Sequence, residues 1–233
     1  MKILGIDTSA KTSSVGICED NQIIDELFLD KGLTHSETIL PMIDEILTRN
    51  GLSLDDIDAL SVNNGPGSFT GIRIGVAVVK GLAFDKYIPC YEVSTLDSIA
   101  YNCKDKNGLV VAVMDARRNQ VYNSNYQIID GKAEKIKDDR TILIKDLYLE
   151  ISEYDGDVFV IGDGQDKVKE FFEENNMLKD NFKFPDYYDN LQKGINTALI
   201  AYDCLENKKS GEELLPSYLK LSQAEQELRK KRG

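Results

Sequence analysis

Apolar positions come first in short runs and then at helical spacing. "KILGIDTS", "SSVGICED" and "QIIDELFLD" are three apolar runs parted by short polar turns, a pattern that predicts an antiparallel meander. The period then changes. In "THSETILPMIDEILTRNGLS" apolar residues recur at Ile39, Leu40, Ile43, Ile46 and Leu47, which predicts a helix. Thr34 and Glu37 have the spacing of a capping box, and Gly51 stands where a helix stops. Pro41 inside the pattern predicts a kink, or a start nearer Ser36. "IDALSVNNG" reads as a strand, "SFTGIRIGVAVVKGLA" as a helix, "IPCYEV" as a strand and "STLDSIAYNC" as a short helix capped by Ser94. The order is βββαβαβα.

A similar opening recurs in "GLVVAVMDARRNQVYNSNYQIIDGKAE". An apolar strand ends in Asp115, a polar turn and a second strand follow, and "QIID" reappears at 127–130 as it stands at 22–25. Helices are expected near 144–153, 165–175 and 192–207, with the strand "DVFVIGDG" among them. The chain therefore reads as two duplicated α/β lobes with a boundary near 103–108. Residues 1–104 form the first lobe and 105–233 the smaller second lobe with a C-terminal segment.

The loop "GPGSFTG" raises the question of a phosphate cradle, because glycines before a helix start expose backbone N–H groups. A phosphate loop of the Walker type needs Lys and Ser/Thr at the helix start, and here Gly71, Ile72 and Arg73 occupy that stretch. A tight strand-to-helix turn capped by Ser68 accounts for the same residues. Asp7 and Asp115, each opening a hairpin, resemble the acid pair that faces nucleotide and metal in actin-like phosphotransferases. They are the two cofactor-binding candidates. Such folds carry Gly two residues after the first acid, whereas Ser9 and Arg117 stand there, so a hydrogen-bonded turn acid fits each equally well. Asp163 in "VIGDGQD" needs only a turn role.

The helix from Phe69 is apolar nearly all round, with Arg73 and Lys80 as its only charges. Gly71 and Gly75 allow another helix to approach closely. The preceding helix carries Met42 beside the Ile39/Ile43/Ile46 stripe. Two readings stand open: a core helix covered by the second lobe, or a helix-to-helix interface with a partner.

Composition narrows the chemistry. The 233 residues are 42% hydrophobic and carry a net charge of −12, which opposes unaided binding of nucleic acid. The one basic cluster is the tail "LRKKRG", read as a frayed, solvated end. The single histidine, His35, excludes a His-pair metal site. Four scattered cysteines, Cys18, Cys90, Cys103 and Cys204, fit reduced thiols in a cytoplasm, and no apolar stretch reaches the roughly 20 residues a bilayer needs.

"GIDTS", "THSETILPMIDEIL", "NNGPGSFTGIRIGVAVVKGLA", "VSTLDSIA", "VMDARRNQVY" and "LLPSYLKL" together resemble the bacterial TsaB (YeaZ) family, most densely over residues 1–123. The resemblance implies an actin-like (ASKHA, ribonuclease H-like) duplicated fold with mixed sheets flanked by helices and a reduced second lobe. It implies no cofactor and no catalytic residue of the chain's own. It also implies a non-catalytic paralogue of TsaD, the subunit that forms threonylcarbamoyladenosine beside the anticodon of tRNAs reading codons that start with A. The HxxxH metal motif of that subunit has no counterpart in "VSTLDSIAYN". The family pairs with TsaD, or with itself as a homodimer, through the two helices of the first lobe, and the ATPase TsaE joins the complex. tRNA is met only through that complex. On this chain the expected interface is Ile39, Met42, Ile43 and Ile46 with Gly71, Ile72, Gly75, Val76 and Val79. Two enzyme readings rival it: a glycoprotease-like metallopeptidase, and an ATP-dependent small-molecule phosphotransferase.

Overall fold

The computed structural model describes residues 1–30 and 34–220. The expected meander is β1 (Lys2–Asp7), β2 (Ser13–Glu19) and β3 (Gln22–Leu29). With β4 (Ala59–Gly65) and β5 (Cys90–Ser94) it forms a mixed sheet in the order β3-β2-β1-β4-β5, antiparallel across β1–β2–β3 and parallel across β1–β4–β5. A second sheet repeats the plan. It contains β6 (Gly108–Asp115), β7 (Gln120–Ile129), β8 (Lys132–Leu143), β9 (Val158–Ile161) and the two-residue β10 (Phe182–Lys183), in the order β10-β9-β6-β7-β8. β6 thus plays the part of β1, and Asp115 that of Asp7.

The duplication is real, but the "QIID" echo is not part of it. Gln22 opens β3, whereas Gln127 lies near the end of β7 and the chain turns at Asp130–Gly131 before β8. The two copies occupy different places in their sheets.

Helices α1 (His35–Arg49) and α2 (Phe69–Phe84) cover one face of the first sheet; α4 (Ile144–Ile151) and α5 (Gln165–Glu174) cover one face of the second. The remaining two helices are exchanged. α3 (Thr95–Tyr101) follows the first sheet but packs Leu96, Ile99 and Ala100 on Val110, Ala112 and Met114 of β6. α6 (Gly194–Asp203) follows the second sheet but packs Ile195, Ala198 and Leu199 on Ile3, Cys18 and Ala59 of the first. It is shorter than the expected 192–207.

Two glycines make that docking possible. Gly5 and Gly16 face each other across β1 and β2. A Cβ on Gly5 would stand 2.1 Å from the Gly194 carbonyl oxygen, and one on Gly16 2.5 Å from the Ile195 Cα. The start of α6 is seated directly against strand backbone.

α1 begins at His35, one residue before Ser36, and runs unbroken through Pro41, which lies on its exposed face. The Thr34 N–H reaches the Glu37 carboxylate at 3.4 Å, and Gly51 takes the left-handed conformation (φ +65°) that closes the helix. Ser68 and Ser94 cap their helices as expected, accepting from the N–H groups of Gly71 and Leu96. The basic tail from Arg229 lies outside the described residues.

Candidate functional site

The loop "GPGSFTG" is packed against the β1–β2 turn. A Cβ on Gly67 would stand 2.2 Å from the Ser9 carbonyl oxygen, and one on Gly71 2.0 Å from that of Thr8. The Ser68 N–H donates to the Ser9 carbonyl at 2.7 Å, and the Thr8 hydroxyl to that of Gly71 at 2.8 Å. These glycines serve backbone-to-backbone contact inside the protein, which is the turn reading of the loop.

Asp7 ends β1 fully buried. Its carboxylate accepts from the Ser9 N–H at 3.2 Å, the Ser9 hydroxyl at 2.8 Å and the Asn63 amide. The Asn63 carbonyl oxygen in turn accepts the Thr197 hydroxyl of α6 at 3.0 Å. Burial pushes the Asp7 carboxyl up from its ordinary range, and the Asn63 and Ser9 hydrogen bonds oppose it. Asp7 is thus a knot between β1, β4 and α6, with its acceptor capacity met from within.

Asp115 differs. It is exposed, paired with Lys167 at 2.6 Å, and accepts the Arg117 N–H at 2.7 Å. Partial burial acts upward, but Lys167 and the Arg117 N–H outweigh it and hold the carboxyl below the usual range. Asp163 keeps solvent access as a residue, yet the protein packed round its carboxyl, then the charges of Asp115 and Asp7, push it up to about 7. An acid whose folded pKa is raised binds a proton more tightly when folded. It therefore favours the folded state at low pH, and that contribution is lost as pH rises from about 4 to about 7. Asp163→Asn, which removes the charge, is expected to raise the melting temperature at pH 8 and to lose that advantage progressively toward pH 4. Equal gains at both pH values in thermal melts would contradict the assignment.

His35 is held by two hydrogen bonds within the chain. Its Nε2 lies 2.8 Å from the Ala10 carbonyl oxygen, so Nε2–H donates, and its Nδ1 lies 2.8 Å from the Ser13 hydroxyl. Ser13 is buried and also bonded to Thr38 at 3.0 Å. The Ser13–His35 pair ties α1 to the β1–β2 turn. Among the described residues no three or more His, Cys, Asp or Glu are grouped to hold a metal ion.

The C-terminal segment closes the space between the lobes beside the glycine loop, which sequence patterning did not foresee. Ser217 donates its N–H to the Asn64 carbonyl at 2.7 Å, and Tyr218 stacks on Phe69 with centroids 4.6 Å apart while accepting from Arg73 at 2.7 Å. Lys220 crosses to the second lobe and donates to the Ala116 carbonyl at 2.7 Å and to Gln120 Oε1 at 2.8 Å.

The nine residues expected at a partner interface are all buried within the chain itself. Ile39, Met42, Ile43, Ile46, Ile72, Val76 and Val79 are buried in the first lobe's own core, against Leu4, Ile6, Val15, Leu60 and Val62 of the sheet. Gly71 and Gly75 are buried too, and a Cβ on Gly75 would stand 2.5 Å from Thr8 Oγ1. The inward stripe is the regular one at i, i+3, i+4 and i+7, and it belongs to the sheet below. Outside that stripe α2 has a second, largely apolar face, and α1 exposes one large apolar side chain. Leu40 of α1 is 51% exposed and Phe84 of α2 74% exposed. On α2 Ile74 and Val78 are partly buried against the core, and Ala77 and Gly81 are open to solvent, with nothing within 4 Å of a Cβ at Gly81. The signal was in the sequence: a helix apolar all round has a face left over after the core is served.

Fold and site together define a two-lobed, actin-like protein whose inter-lobe acids and glycine loop are engaged by its own chain. The family model for TsaD, tRNA N6-adenosine threonylcarbamoyltransferase, matches residues 32–226. The chain is 33% identical over 174 residues to the tRNA threonylcarbamoyladenosine biosynthesis protein TsaB of Bacillus subtilis, covering 75% of this chain and 76% of that protein. It is 43% identical over 129 residues to TsaB of Escherichia coli, covering 54% of this chain and 55% of that protein, so the match spans about half the latter's length. A Pseudomonas aeruginosa protein described as similar to peptidase YEAZ superposes with a TM-score of 0.79 at 25% identity, over 94% of this chain and 99% of that one. The Lmo2764 protein of Listeria monocytogenes shares the fold alone, at 12% identity and a TM-score of 0.52 over 89% of this chain and 100% of that one. The chain belongs to the TsaB (YeaZ) family. Its four cysteines are free, and among the described residues no helix is long and apolar enough to cross a membrane.

Proposed function

We propose that this chain is a non-catalytic subunit in the synthesis of threonylcarbamoyladenosine on tRNAs that read codons starting with A. In this reading it activates a TsaD-type transferase by pairing with it, a TsaE-type ATPase joins the pair, and a homodimer forms when the transferase is absent. The protein works in the cytoplasm and takes no cofactor. Residues 1–104 form the pairing lobe, and 105–233 the smaller second lobe with the C-terminal segment.

One observation carries the reading: the groups that could do chemistry are bound inward, while an apolar helix face is bare. Asp7, His35 and the glycine loop all have protein partners. Leu40 of α1 and Ala77, Gly81 and Phe84 of α2 are exposed, with Ile74 and Val78 only partly covered by the core beneath, and interfaces are built on surfaces of this kind. The pairing face is therefore the outer side of α1 and α2, turned away from the residues expected from sequence.

The test is a reconstitution with purified subunits from one source, measuring threonylcarbamoyladenosine in a tRNA transcript. Omitting this chain is expected to abolish product, and this chain without the transferase is expected to yield none. Product formed at the full rate in its absence would refute the assignment.

A further inference from the structure

The turn between β6 and β7 carries a backbone conformation found nowhere else in the described chain. Arg117, Arg118 and Asn119 are consecutive left-handed residues, at φ 64°, 52° and 55°. This region is disfavoured for residues with a side chain, and a run of three is rare. The surroundings enforce it. The Arg117 N–H donates to Asp115 Oδ1 at 2.7 Å, the Gln120 N–H to the Arg117 carbonyl at 3.1 Å, the Ala116 N–H to the Gln120 carbonyl at 3.1 Å and the Ile144 N–H to the Asn119 carbonyl at 3.0 Å. The result is two adjacent arginines on an exposed turn.

Neither guanidinium has a hydrogen-bond or ion-pair partner among the described residues, although the Arg117 charge acts on Asp115. Among the described residues Arg49 binds Asp25, Arg140 binds Glu150 and Arg73 binds Tyr218, but no side-chain hydrogen bond or ion pair holds Arg117 or Arg118. This is notable in a chain with 40 acidic residues against 28 Lys and Arg. Two more cations stand close by. Burial lowers the Lys220 ammonium from its ordinary range, and the charges of Lys167 and Arg118 add to this against the pull of Asp115. The acids facing the turn are Asp115, already held by Lys167 and the Arg117 N–H, and Asp163 beside it. Among the described residues positive charge here exceeds its local compensation, and an added anion offsets it.

We propose that Arg117 and Arg118 form a contact for the phosphodiester backbone of the tRNA. A guanidinium fork matches two phosphate oxygens, and two adjacent forks on a convex turn suit successive phosphates. A protein partner fits less well: Ala116 is buried and Asn119 polar, so the turn has no exposed apolar side chain to form a desolvated centre. The overall charge of −12 makes this an auxiliary grip within an assembly, not a site that holds RNA alone.

The inference rests on the subunit reading, and the experiment separates the two. The chain assembled with its transferase subunit is titrated with a fluorescent, unmodified tRNA transcript across a salt series, as wild type, as Arg117→Gln/Arg118→Gln and as Arg117→Lys/Arg118→Lys. The glutamine variant is expected to bind tRNA about tenfold more weakly, with the slope of log affinity against log salt reduced by about 2, and with unchanged melting and assembly. The lysine variant is expected to keep the salt slope. Unchanged affinity and slope in the glutamine variant overturn the proposal. So does loss of assembly at unchanged tRNA affinity, which would make the turn a contact for an acidic protein. Failure of the subunit reading shows separately, as modification indifferent to omission of the whole chain.

Discussion

Ile46→Glu is expected to leave no folded protein at 25 °C. Ile46 is 0% exposed and packs in the core shared by α1, α2 and the first sheet. Removing its side chain from that core forfeits about 1.5–3 kcal/mol of burial, before any penalty for the charge. Leaving an unpaired carboxylate there adds several kcal/mol more, or forces the group to stay protonated at a similar cost near neutral pH. The sum is comparable to the whole stability of a typical domain, about 5–15 kcal/mol. Far-ultraviolet circular dichroism and thermal melting of the purified variant check it. A cooperative transition within a few degrees of wild type would mean the side chain does not sit in this core.

Gly81→Arg is expected to do the reverse, breaking assembly while leaving the fold intact. Gly81 lies in the interior of α2 with nothing within 4 Å of a Cβ. Arginine favours a helix over glycine by about 0.8 kcal/mol, so the monomer's melting temperature should stay level or rise slightly. At the centre of the outer face a long cation must be desolvated, or it must hold the partner's helix off Ala77 and Val78. Either effect costs several kcal/mol, and each 1.4 kcal/mol is tenfold in affinity, so pairing should weaken by at least about 100-fold. Sedimentation or calorimetry with the transferase subunit measures it. Unchanged pairing would place the partner elsewhere, and a lowered melting temperature would mean that the position is not open.

The contrast between these two variants marks what patterning conveyed. Sequence assigned both helices correctly, from the spacing of Ile39, Ile43 and Ile46 and from the run after Ser68. It also noted that α2 is apolar on too many sides for one contact. The residues it assigned to a partner lie in the chain's own core, because helical periodicity locates a stripe without saying what the stripe faces. Gly75 shows the same limit. A glycine in a helix signals a close neighbour, and here the neighbour is Thr8 of the same chain.

The local features of this protein were determined by its sequence: the strand order of the meander, the serine caps of α2 and α3 and the stop at Gly51. Each depends on interactions within a few residues, where side-chain size and hydrogen-bonding groups decide the outcome. Only the tertiary structure decided the long-range pairings. It placed α3 on the second sheet and α6 on the first, matched Gly5 and Gly16 to the start of α6, and drew the C-terminal segment across the lobes to Arg73 and Ala116. Apart from the docking of α3, those contacts join residues a hundred or more positions apart. Close packing selects such partners by shape across the whole fold, and a linear pattern records the apolar or polar character of each position but not the surface it meets.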